Sequence, residues 1–188
     1  AIRSGTQANW LGVTTDSKQA HRIEPLGGDL YDGLPGVALF LAHLAEVSHE
    51  ERYLELAQAA ARHWIRDILH PAAAPAIEAE QCLGAYTGLG GSVYVLSQLS
   101  TLWRQPQWLA EADALVDRMA ACVGADRNFD VLGGAAGGVA ALLALHATRE
   151  SPKALRAAIA CGDHLLSHAQ PQAQGCAWSA PDGVALGG

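Results

Sequence analysis

Apolar and polar positions follow two alternating plans along this chain. Residues 34–47, 89–103 and 135–148 are apolar almost throughout. Each such stretch is followed by one in which apolar residues keep helical spacing. In 50–69, Tyr53, Leu54, Leu56, Ala57, Ala60, Ala61, Trp64, Ile65 and Ile68 form a wide stripe, and Arg52, Glu55, Gln58, Arg62 and Arg66 fall mostly elsewhere. Residues 106–122 and 152–169 behave alike, and both open on a proline, which costs no hydrogen bond in a first helical turn. Ser151 stands where an N-cap belongs. A helix apolar on every side is expected to be buried on every side, whereas an amphipathic one covers a core with one face. The pattern predicts three helix pairs, each with an inner and an outer member.

Each inner helix opens on the same device. The stretches "DLYDGLPGVALFLAHL" (29–44), "GAYTGLGGSVYVLSQL" (84–99) and "DVLGGAAGGVAALLAL" (130–145) carry Gly33 and Gly36, Gly88 and Gly91, Gly134 and Gly137. A recurrence of roughly 50 residues marks stacked supersecondary units. Glycine at a helix mouth lets backbones approach closely, permits φ > 0 in the preceding turn, and bares N–H groups at a positive helix end. Packing alone accounts for any one motif, so the three together speak for architecture before chemistry. Tyr31 and Tyr86 each stand two residues before a motif glycine; they line a central face or fill the gap the glycines leave. Trp64, Trp103 and Trp108 suit packing between layers.

The fold class expected is all-α, an α/α toroid of inner and outer layers, with an open solenoid of helix pairs as the alternative. "WLGVTT" and "HRIEPL" around "DSKQ" can form a hairpin, "GCAWSAP" reads as a short extended piece, and "HPAAAPAIEAE" (70–80) as a loop.

Composition narrows the functions. Half of the 188 residues are apolar and 16% are charged, which suits a well-buried fold. The net charge of −7 argues against nucleic acid as a partner. No apolar run reaches the ~20 residues of a membrane span, and no export signal is visible, so a cytoplasmic location is expected. Cys82, Cys122, Cys161 and Cys176 are widely spaced and form no CxxC; in that compartment they read as free thiols packed as small hydrophobes.

The three glycine stretches together resemble the cyclase domain of lanthipeptide synthetases, the lanthionine synthetase C-like family. "PLGGDLYDGLPGVALFLAHLA" is most similar to the bifunctional class II enzymes. The resemblance implies an α/α toroid, of which residues 1–188 would be the N-terminal part, about half. Its divisions would be a lead-in over 1–28, repeats near 29–70, 82–122 and 129–169, and a lead-in at 175–188 to a fourth repeat. It implies an enzyme of lanthipeptide (bacteriocin) biosynthesis that closes thioether rings in a dehydrated precursor peptide. A Cys thiolate would add to dehydrated Ser or Thr, and zinc would be held by two cysteines and a histidine in the full-length family. Asp130, four residues before Gly134, matches the family's acid and would be catalytic, supporting proton transfer with a histidine of a fourth glycine motif. Capping of the glycine turn is the competing role for Asp130. Asp29 holds the same offset before Gly33 and reads as a cap, whereas Gly84 occupies it in the second repeat.

The family's zinc set has no match among the cysteines and histidines present. No bound zinc and no cyclase activity are therefore expected of the chain alone. Cys161, His164 and His168 share a helix face at metal-ligand spacing, but they read as one core cysteine and two surface histidines. His63, Arg66 and His70 read as a solvated edge. The alternatives are a non-catalytic assembly fragment that self-associates through exposed apolar faces, and an α/α-barrel glycosidase. The latter needs a second acid, such as Asp29 or Asp32, beside Asp130.

Overall fold

A computed structural model describes residues 1–15, 20–69 and 82–179, and the backbone of 185–187. The turn expected at 16–19 and the loop expected at 70–80 lie outside the described residues. The fold is mostly helical, as the pattern predicts. It contains α1 (Leu34–Ser48), α2 (Glu51–Leu69), α3 (Leu89–Trp103), α4 (Gln107–Cys122), α5 (Ala135–Arg149) and α6 (Pro152–His168). The chain divides into two compact units, Ala1–Pro75 and Ala76–Gly188.

In the first unit α1 packs along α2, and a hairpin of β1 (Ile2–Ser4) and β2 (Gln7–Asn9) lies against α2. Arg62 Nε donates to Thr6 O at 3.2 Å, and Arg66 Nη1 to Gln7 Oε1 at 2.8 Å. Long cationic side chains of α2 thus satisfy polar groups of the hairpin. This first hairpin is not among the sequence expectations; its signal is Gly5, whose φ of 56° makes the tight turn. The expected hairpin is present as β3 (Leu11–Thr15) and β4 (His21–Pro25), with Val13 opposite Ile23. Of the expected polar edge on α2, His63 is partly buried and lies 3.3 Å from Asn9 Nδ2 and 3.5 Å from Asp67 Oδ2. His70 lies outside the described residues.

The second unit shows the two layers directly. α3 packs on α5 and α4 on α6, while each of α3 and α5 also packs on its own outer partner. Leu89, Val93, Val95, Leu96 and Leu99 of α3 are at most 1% exposed, and Leu142 and Leu145 of α5 are fully buried. At the far end Ser151 caps α6 as expected, accepting from Ala154 N at 3.2 Å. Its hydroxyl donates to Asp113 Oδ1 of α4 at 2.7 Å, and Lys153 reaches Asp113 and Asp117. A small sheet, β5 (Gln170–Pro171), β6 (Cys176–Ser179) and β7 (Ala185–Gly187), includes the extended piece expected near Cys176.

Two expectations need correction. Apolar composition does not bury every inner helix on all sides: Phe40 and Val47 of α1 are 63% and 81% exposed, and Leu143 of α5 is 44% exposed. α3, flanked by both α4 and α5, comes nearest to that description, with Tyr94 still exposed. Nor are all four cysteines free thiols. Cys82 and Cys122 form a disulfide across 40 residues of sequence, with Cα atoms 6.2 Å apart. The return of α4 beside the start of the second glycine turn brings them together, and spacing alone does not show it. Cys161 is free and buried as expected.

Candidate functional site on the third glycine turn

The second and third glycine turns interlock through their backbones. Gly84 N donates to Gly133 O, Ala85 N to Val131 O, and Tyr86 N and Thr87 N to Leu132 O, each at 3.1 Å. This contact, rather than φ, explains Gly84 and Gly137. A Cβ on Gly84 would overlap Leu132 O and Gly133 Cα; one on Gly137 would overlap Val131 O and Ala85 N. The caps Gly33, Gly88 and Gly134 are extended, with φ of −102°, −133° and −117°. The cap glycines themselves therefore do not use the positive φ that glycine permits. In the third turn the left-handed residue is Phe129, at φ 61°.

Asp130 follows Phe129. Its Oδ1 accepts from Gly133 N at 2.8 Å and from Gly134 N at 3.2 Å. The capping role is thus real. It occupies one carboxylate oxygen, and Oδ2 has no partner among the described residues. Half-buried at a helix mouth, with one oxygen held by amides, this carboxylate is oriented and can exchange a proton or orient a partner.

A second acid was missed by sequence reasoning. Asp126 is fully buried. Its Oδ1 accepts from Asn128 N at 3.3 Å, and its Oδ2 from Phe129 N at 3.3 Å and Ala135 N at 3.1 Å. Its sequence signal is an acid just upstream of the glycine run, four residues before Asp130. From α6, His164 Nε2 lies 3.2 Å from Asp126 O and 3.9 Å from its Oδ2. A carbonyl only accepts, so Nε2 carries the proton. The rings of His164 and His168 sit 5.6 Å and 5.2 Å from that of Phe129.

The residues here do not fit zinc. Burial, followed by the charge of Asp126, pushes the Cys161 thiol up to about 11, away from the thiolate a metal needs. His164 Nε2 is turned to Asp126, and His168 Nδ1 lies 2.9 Å from His164 O. No group of three His, Cys, Asp or Glu able to hold a metal occurs among the described residues. His164 also departs from the surface position expected of it: its side chain is only 8% exposed.

In the first unit, Asp29 Oδ1 accepts from Asp32 N at 3.1 Å, a turn cap. Burial, with the neighbouring charge of Asp32, holds its carboxyl above the usual range despite the Asp32 amide. Gly36 follows the close-approach rule, since a Cβ there would lie 2.5 Å from Leu30 O. Gly91 N donates to Gly84 O at 3.1 Å. Tyr31 and Tyr86 are 72% and 43% exposed, so neither fills the space beside its glycines. Trp64 and Trp108 are buried in their units, and Trp108 meets Trp103 edge-on at 5.2 Å.

A search of curated proteins finds no match. No helix among the described residues is long and apolar enough to cross a membrane. The family described as lanthionine synthetase C-like protein matches residues 24–183, a span that takes in all three glycine turns, Asp126 and Asp130. With the match extending over most of the chain and the helix pairs in place, the chain belongs to the lanthionine synthetase C-like proteins.

Proposed function

We propose that the chain forms part of a lanthipeptide cyclase of the class II type, acting in the cytoplasm on a dehydrated precursor peptide. The family match over 24–183 carries this reading. Ring closure forms a bond between a peptide Cys sulfur and the β-carbon of dehydroalanine or dehydrobutyrine. The electron pair moves to the enolate, which takes a proton at the α-carbon. Asp130 is the catalytic acid residue of this chain. Two amides hold its Oδ1, leaving Oδ2 to orient or exchange the proton. The zinc of the family would need ligands other than the described residues, and no step is assigned to it here.

On this reading the 188 residues supply three helix-pair repeats of a larger domain and close no ring alone. The test is loss of alkylatable thiol from a peptide bearing dehydroalanine and cysteine. Closure is expected with the complete cyclase domain and not with the 188-residue chain. Closure by the chain alone would overturn the incompleteness, and no closure by either would overturn the function. A second reading, assembly through apolar surface, is favoured by exposed Phe40, Val47, Ile159 and Leu166. It predicts dimers by light scattering, and a monomer at all concentrations would refute it.

A further inference from the structure

We infer that Asp126 is a positioning residue for Asp130, holding the third glycine turn in a conformation that its own sequence disfavours. The inference rests on the reading of Asp130 as the reacting acid.

A fully buried carboxylate is costly unless its oxygens are saturated. Asp126 meets that demand with the amides of Asn128, Phe129 and Ala135, which bracket Asp130 on both sides. Oδ2 alone joins Phe129 to Ala135, so one oxygen ties the start of the turn to the first residue of α5. The first of the two is the one left-handed non-glycine residue of the glycine turns among the described residues: Phe129 at φ 61°. The other three such residues, His49, Arg104 and Glu150, are helix C-caps, where this conformation is common. A bulky residue does not adopt it unaided. The amide bond to Asp126 and the rings of His164 and His168 supply what holds it there. Asp130 is the next residue, and its two amide bonds depend on that left-handed step.

The test is amide hydrogen exchange on the full 188-residue chain. In Asp126→Asn, Gly133 and Gly134 are expected to exchange ~10-fold faster or more, the loss of a charge-assisted hydrogen bond. Leu89 and Glu150, whose amides bond elsewhere in the same unit, are expected to change far less. Adding Phe129→Gly, which makes the left-handed step free, is expected to restore much of the protection. Unchanged exchange at Gly133 and Gly134, an equal rise at Leu89 and Glu150, or no rescue by Phe129→Gly would each overturn the inference. In the complete cyclase, Asp126→Asn is expected to lower kcat with KM unchanged, and a rise in KM alone would also overturn it. If Asp130→Asn leaves ring closure intact while the exchange result holds, the catalytic reading fails and the structural coupling stands.

Discussion

Asp126 and Ala135 are joined across the third glycine turn: the buried carboxylate accepts the first amide of α5 at 3.1 Å from nine residues upstream. The adjacent cap, Gly134, has no side chain and makes no such bond. α6 shows the ordinary alternative, in which Ser151 caps from the adjacent position. The third turn therefore separates two tasks: Asp126 caps the helix, and Asp130 holds the loop ahead of it.

Glycines at the interlocked turns will not tolerate a methyl group. Gly84→Ala and Gly137→Ala each press a Cβ into backbone, which cannot rotate away as a side chain can. Each is expected to cost about 2–4 kcal/mol in urea unfolding. Gly162, inside α6 with open space around it, provides the contrast. Gly162→Ala is expected to stabilise by up to ~1 kcal/mol. Little or no loss at Gly84 and Gly137, or an equal loss at Gly162, would show that close approach does not govern these positions.

The C-caps behave in the opposite way. Each inner helix has 15 residues and ends on a left-handed non-glycine residue: His49 at φ 57°, Arg104 at φ 53° and Glu150 at φ 50°. Glycine takes this conformation without steric cost. Arg104→Gly and Glu150→Gly are expected to raise stability by up to about 1 kcal/mol. Glu150 should gain more, because its charge opposes the negative end of α5. Thermal unfolding of the two variants checks both the sign and the order.

Two acids are expected to give opposite pH dependences. Burial works to raise the pKa of Asp113, but hydrogen bonds from Ser151 and Lys153 and the charges of Lys153 and Arg149 overcome it and leave the pKa lowered. Its stabilising contribution is present above the ordinary carboxylate range and lost as pH falls through the lowered value. Asp29 is raised, so its contribution is present at low pH and lost as pH rises through its own value. At pH 7, Asp113→Asn should destabilise by about 1 kcal/mol or less, and Asp29→Asn should stabilise. At the alkaline end the free chain ionises Cys161 near 9.0 while the fold resists until about 11, so stability falls across that window. Denaturant midpoints across pH check all three signs.

What was legible in the sequence is what period and spacing encode. The inner helices begin on the residues read from the glycine motifs, and Ser151 caps where it was placed. The hidden features depend on distant segments returning to one point. Asp126 reaches α5 only because the intervening turn folds back, and the left-handed step falls on Phe129, a residue type that gives no such signal. Gly84 occupies the offset that Asp29 and Asp130 hold in the other repeats; it is glycine because the backbone of Leu132 and Gly133 lies against it.

The disulfide has its own measurable consequence. Closing 40 residues of sequence restricts the unfolded chain. Loss of the Cys82–Cys122 bond is therefore expected to cost about 3–4 kcal/mol on the chain-entropy account. Thiol titration under denaturing, non-reducing conditions should find two thiols, Cys161 and Cys176, in the oxidised chain. Finding four thiols after air oxidation would show that the bond does not form.

The most direct measurement compares ring-closing rates of Asp130→Asn and Asp29→Asn in the complete cyclase. The two acids sit at the same offset before a motif glycine, and both accept backbone amides in their turns. A ~10²-fold or larger loss is expected for Asp130→Asn alone, with Asp29→Asn close to the parent rate. Equal rates for the two variants would contradict a catalytic Asp130 and leave both as turn caps.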